Sequence, residues 1–103
     1  MRSALVAVPA AVLFVLLTPS PADAVQHGIS RTFTVSTARV ATHTIYCPGH
    51  EHTHSGGAQV SPPGKYYMRS THPTPDRKGW SVTTAPLPGT TGGRTVTLYA
   101  LCA

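Results

Sequence analysis

Arg94-Thr95-Val96-Thr97-Leu98-Tyr99-Ala100-Leu101-Cys102-Ala103 is the stretch from which the fold is read. Val96, Leu98, Ala100 and Cys102 alternate strictly with Thr95, Thr97, Tyr99 and Leu101. A period of two is the signature of a strand with one face on a core and the other towards solvent. Cys102 falls on the core face. The chain has two cysteines, and the other, Cys47, closes a second alternating run from Thr42, in which Ile45 and Cys47 face the same way before Pro48-Gly49 stops the strand. The one intramolecular pairing available is therefore Cys47 with Cys102, with free or intermolecular thiols as the alternative. A bridge closing so long a loop contributes roughly 4 kcal/mol in the chain-entropy description.

Working outward, the rest of the chain repeats short runs rich in threonine, valine and tyrosine between Gly/Pro clusters, and no segment sustains helical periodicity. Ile29–Thr37 places Ile29, Phe33 and Val35 on one face. A third strand starts in the histidine segment and continues to Val60, a fourth spans Lys65–Thr71, and a fifth carries Trp80, Val82 and Thr84 on one side. Pro62-Pro63-Gly64, the polar loop His72–Gly79 and Pro86–Gly93 are turns. These features predict an all-β fold, a small antiparallel β-sandwich or open barrel of about six strands, held by one disulfide.

The amino terminus has a different character. Met1-Arg2-Ser3 precedes an apolar run from Ala4 to Leu17, too short for a membrane-spanning helix of roughly 20 residues. Ala22-Asp23-Ala24 follows as a small-x-small cleavage site, so residues 1–24 read as a secretory signal peptide and 25–103 as one domain with no membrane span. An exported chain of this size is where a disulfide is expected, because so small a core needs a staple. The formal net charge is +5 with histidines neutral. The basic residues are scattered, which suits weak attraction to anionic cell-wall polymers; nucleic-acid binding would call for a basic stripe with interleaved aromatics.

The chemistry-bearing residues concentrate in Tyr46-Cys47-Pro48-Gly49-His50-Glu51-His52-Thr53-His54-Ser55-Gly56-Gly57-Ala58, where the double glycine predicts a bulge or tight bend. On a strand, His50, His52 and His54 would form a ladder of imidazoles with a repeat of about 6.5 to 7 Å, able to hold zinc, copper or nickel with His43 or Glu51 completing the set. The alternatives are three solvated histidines at a polar strand end, or a pH-responsive surface. Trp80, Tyr66 and Tyr67 are candidates for a ligand-stacking platform, although aromatics in so small a core more often pack. No catalytic set stands out. Glu51 and Asp76 are the carboxylates of the expected domain, with no sequence reason to lie together, and a secreted ribonuclease built on Glu51, a histidine and Arg69 would lack any recognisable motif.

In the order Cys47-Pro48, Gly56-Gly57-Ala58, Ser70-Thr71-His72-Pro73, Gly79-Trp80 and Tyr99-Ala100-Leu101-Cys102-Ala103, the chain resembles a family of small exported β-domains of filamentous Gram-positive bacteria, some of which follow collagen-like repeats. The resemblance spans roughly the last 60 residues. It implies export, a β-sandwich-like fold and the Cys47–Cys102 bridge, and it implies no activity. The chain departs from the pattern at His50, where a glycine is expected, at His52 and His54, at usually apolar positions, and at Ser55, in place of the first glycine of a triplet. The sequence as a whole predicts a secreted, non-enzymatic structural or interaction module whose partner is a cell-wall polymer or surface protein. A metal-binding protein using the His-x-His-x-His segment is the alternative, and a small hydrolase such as a ribonuclease comes third.

Overall fold

The computed structural model describes residues 25–103; the expected signal peptide, residues 1–24, lies outside them. Six strands follow in chain order: β1 (His27–Val35), β2 (Ala41–Tyr46), β3 (Thr53–Ser61), β4 (Tyr66–Pro73), β5 (Gly79–Pro86) and β6 (Arg94–Cys102). They form two three-stranded antiparallel sheets, β1-β6-β3 and β2-β5-β4, packed as a sandwich. Among the described residues there is no helix.

The two central strands are β6 and β5, and their sequences show why. Arg94, Val96, Leu98, Ala100 and Cys102 on β6 are all buried, whereas the edge strand β4 buries Tyr66 and little else. A centre strand has neighbours on both sides, so its inward side chains lose most of their water contact and are favoured as aliphatic residues. Ile45, Val82, Val96, Leu98 and Ala100 make the core, with Ile29, Phe33, Ala58, Val60 and Trp80 packed around it.

Only β4 and β5 are joined as a hairpin within one sheet; every other connection crosses to the opposite sheet. The hairpin turn is held by Thr74, whose hydroxyl donates to Asp76 Oδ1 at 2.6 Å and accepts from the Gly79 amide at 2.9 Å. The Lys78 amide also donates to Asp76, at 3.0 Å. Donors converging on it from Thr74 and then Lys78 hold the Asp76 carboxyl below its ordinary range.

The two ends of β6 are built differently. At one end Cys102 is bonded to Cys47, which follows β2, so the disulfide ties the two sheets across the core. At the other end Arg94 is buried, with no carboxylate partner among the described residues. Its Nε donates to Thr84 Oγ1 at 2.9 Å, its Nη2 and Nη1 donate to the carbonyls of Thr84 and Thr37 at 3.3 Å each, and its guanidinium lies 4.5 Å from the Tyr66 ring centroid. Neutral oxygens and an aromatic face replace its water shell, which a planar guanidinium tolerates better than an ammonium.

Candidate functional site

The histidine segment does not form the ladder that its spacing predicts. β3 begins at Thr53, so His50 and His52 stand before the strand: His50 lies in a turn where Gly49 has φ 59° and the Glu51 amide donates to the Pro48 carbonyl, and His52 exchanges backbone hydrogen bonds with Ala103. His54 is the extra residue of a β-bulge, since Thr53 pairs with Cys102 and Ser55 with Leu101. The bulge sits at His54, just ahead of the double glycine where the sequence suggested one. A turn and a bulge together break the alternation that would have aligned three imidazoles. Among the described residues no three His, Cys, Asp or Glu side chains are grouped so as to hold a metal ion.

His43 and Glu51, the expected completing ligands, are engaged elsewhere. The His43 ring stacks on Phe33 with centroids 4.5 Å apart, and its Nδ1 is buried with no hydrogen-bond partner among the described residues. Burial first, then the charges of Arg94 and Arg39, lowers its pKa from 6.5. Glu51 Oε1 lies 2.6 Å from His27 Nε2. No sequence pattern signals that pair: the two residues are 24 positions apart, and they meet because β1 starts beside Cys102 while the loop after Cys47 folds back over the same end.

The three candidate stacking aromatics do not share a surface. Tyr66 is buried, donates from its hydroxyl to the Gly92 carbonyl at 2.5 Å, and has Arg94 on its ring. Trp80 packs against the core with its ring over Gly56, and its Nε1 donates to Thr71 Oγ1 at 2.8 Å. Tyr67, the neighbour of Tyr66 along a strand, is exposed.

The surface with the character of a contact site is instead the outer face of β1-β6-β3. Alternation and register place Gly28, Ser30, Thr32 and Thr34 of β1, Thr95, Thr97, Tyr99 and Leu101 of β6, and Ser55, Gly57, Gln59 and Ser61 of β3 on it. None of these side chains is an acid or a base of the Asp, Glu, Lys, Arg or His type, in a chain of formal net charge +5. A shallow, open depression of about 590 Å³ crosses it, lined in part by Gly28, Ser30, Ser55, Gly57, Tyr99 and Leu101. Tyr99 is 44% exposed and donates its hydroxyl to Gln59 Oε1 at 3.1 Å. Strict alternation in the last strand already placed Tyr99 and Leu101 outward, but without strand order nothing in the sequence showed what would flank them.

The chain matches no protein-family model, no curated protein and no solved structure.

Proposed function

We propose that this protein is exported and acts outside the cell as a non-catalytic recognition module, and that its contact surface is the outer face of β1-β6-β3. The observation carrying this reading is the open depression around Tyr99, an aromatic side chain 44% exposed on an uncharged sheet face. Export is supported by the amino-terminal sequence and by a formed disulfide, which persists in oxidising compartments. The two carboxylates of the described residues support a non-catalytic role, because Glu51 is paired with His27 and Asp76 is committed to its own hairpin turn. The recognised material is a component of the cell surface.

The test is retention on Gram-positive cell walls. The full chain is expressed in a Gram-positive host and recovered from the medium, where its amino terminus is expected at Val25. The purified protein is then sedimented with washed walls in about 0.3 M salt, which shortens the range of its net positive charge to about 6 Å and suppresses purely electrostatic adhesion. Retention is expected to fall about tenfold in Tyr99→Ala, a change equivalent to about 1.4 kcal/mol. Retention indifferent to Tyr99 would place the contact surface elsewhere.

A further inference from the structure

Glycine in the interior of a strand costs about 0.5 to 1 kcal/mol relative to alanine, so each one asks for a reason. Most glycines of this chain have one. Gly49, Gly64, Gly89 and Gly92 adopt positive φ, and a Cβ at Gly56, Gly79 or Gly93 would collide with Trp80, with Ile45 and Tyr46, or with the Val35 backbone. Gly28 and Gly57 have neither reason. A Cβ at Gly57 would meet nothing within 4 Å, and one at Gly28 would meet only the Ala100 carbonyl at 3.9 Å, an ordinary contact.

These two glycines lie on the outer face of the same sheet. Gly57 is the cross-strand neighbour of Tyr99, and Gly28 is that of Leu101. On their other sides Tyr99 faces Ser30 and Leu101 faces Ser55. The two bulkiest outward side chains of the central strand thus have no side chain larger than serine directly opposite, where β-sheets ordinarily place packing partners. The missing side chains leave the depression open, and the chain's own packing does not account for their absence.

We infer that this depression binds a neutral polysaccharide chain, an inference resting on the outer-face reading above. Three features select that class. The lining is uncharged although the protein is basic, so neither an anionic polymer nor a nucleic acid is favoured by it. An exposed tyrosine beside a leucine offers an apolar surface to the C–H face of a pyranose, whose slightly positive hydrogens are attracted to the electron-rich ring face. The surrounding Ser30, Ser55 and Gln59 supply hydroxyl and amide groups to exchange hydrogen bonds with sugar hydroxyls. The depression is open and shallow rather than an enclosed pocket, a shape suited to a segment of an extended polymer.

The experiment is sedimentation of the secreted protein with insoluble chitin, cellulose and curdlan in about 0.3 M salt, which weakens adhesion driven by net charge. Variants Gly57→Gln, Tyr99→Ala and, on the opposite sheet, Tyr67→Ala are compared, with thermal unfolding of each. The expected result is retention on at least one of the three polymers, a loss of about tenfold or more in Gly57→Gln and Tyr99→Ala at unchanged unfolding temperature, and no loss in Tyr67→Ala. A Cβ at Gly57 meets nothing within 4 Å, so Gly57→Gln puts its side chain into the depression rather than the core, and its unfolding temperature separates lost binding from a folding defect. Retention on none of the polymers, or retention insensitive to Gly57→Gln, overturns the inference. If wall retention still depends on Tyr99 while no polysaccharide binds, the ligand class falls and the contact face stands; if neither depends on Tyr99, both fall.

Discussion

At the scale of single residues, His43 is the side chain with the clearest measurable consequence. It sits on Phe33, with the Arg31 guanidinium 5.0 Å from the same ring, and it feels the charges of Arg94 and Arg39. No carboxylate of the described residues offsets them, since Glu51 is paired with His27 and Asp76 lies in the hairpin turn. The folded chain therefore binds a proton at His43 less readily than the unfolded chain, whose imidazole titrates near 6.5. The stability contributed by neutral His43 is complete above pH 6.5 and is lost as the pH falls from 6.5 towards the lowered folded-state value. Denaturant unfolding at pH 7.5 and pH 5 is expected to show a smaller pH-induced loss of stability in His43→Phe than in the parent. The phenyl ring keeps the stack on Phe33 and removes the unpaired Nδ1, so the variant is also expected to be no less stable at pH 7.5. An equal loss in both proteins would mean that the acid limb arises elsewhere. The sequence places His43 on the second strand, where it lies, but its stacking partner is on a strand of the other sheet and cannot be read from spacing.

At the scale of the element, the lesson lies in β3. Its two adjacent glycines look equivalent in the sequence and are opposites in the fold, because successive residues of a strand point to opposite faces. Gly56 faces inward under Trp80, whereas Gly57 faces outward into open space. Gly56→Ala is expected to destabilise by about 1 to 3 kcal/mol, since a rigid indole must move. For a domain of this size that lowers the unfolding temperature by about 4 to 8 °C per kcal/mol. Gly57→Ala is expected to leave the unfolding temperature unchanged or raise it slightly. Thermal unfolding of the two single variants side by side decides the matter, and equal effects would contradict the assigned register. The strands themselves were largely legible: β6 begins at the predicted residue, β1, β2 and β4 lie within two residues of the predicted starts, and β5 carries Trp80, Val82 and Thr84 on one side as expected. The start of β3 was not. Histidine alternation suggested a strand through His50, whereas the turn at Gly49 keeps His50 out of β3 and the bulge at His54, inside the strand, breaks the alternation.

For the whole molecule, the decisive tie is the disulfide between Cys47 and Cys102, separated by 55 residues and joining the two sheets at one end of the sandwich. So small a domain buries a limited share of its unfolded surface, and a long-range cross-link removes much of the disorder of the unfolded chain. Cys47→Ser/Cys102→Ser is expected to lose roughly 2 to 5 kcal/mol of unfolding free energy, read as a drop in the urea midpoint of the purified protein. A change under about 1 kcal/mol would mean that packing alone holds the sheets together. The sequence by itself determined the all-β class, a count of about six strands and which two cysteines an intramolecular bridge would join, because alternation, breaker residues and a two-cysteine inventory are local or combinatorial facts; that the bridge forms is seen in the structure. Only the tertiary structure decided that β6 lies between β1 and β3, that Glu51 meets His27, that Tyr66 is buried under Arg94, and that Gly28 and Gly57 leave Tyr99 and Leu101 uncovered. Each of these depends on which strands are neighbours, and strand order is fixed by how two sheets bury their apolar faces together rather than by any pattern along one strand.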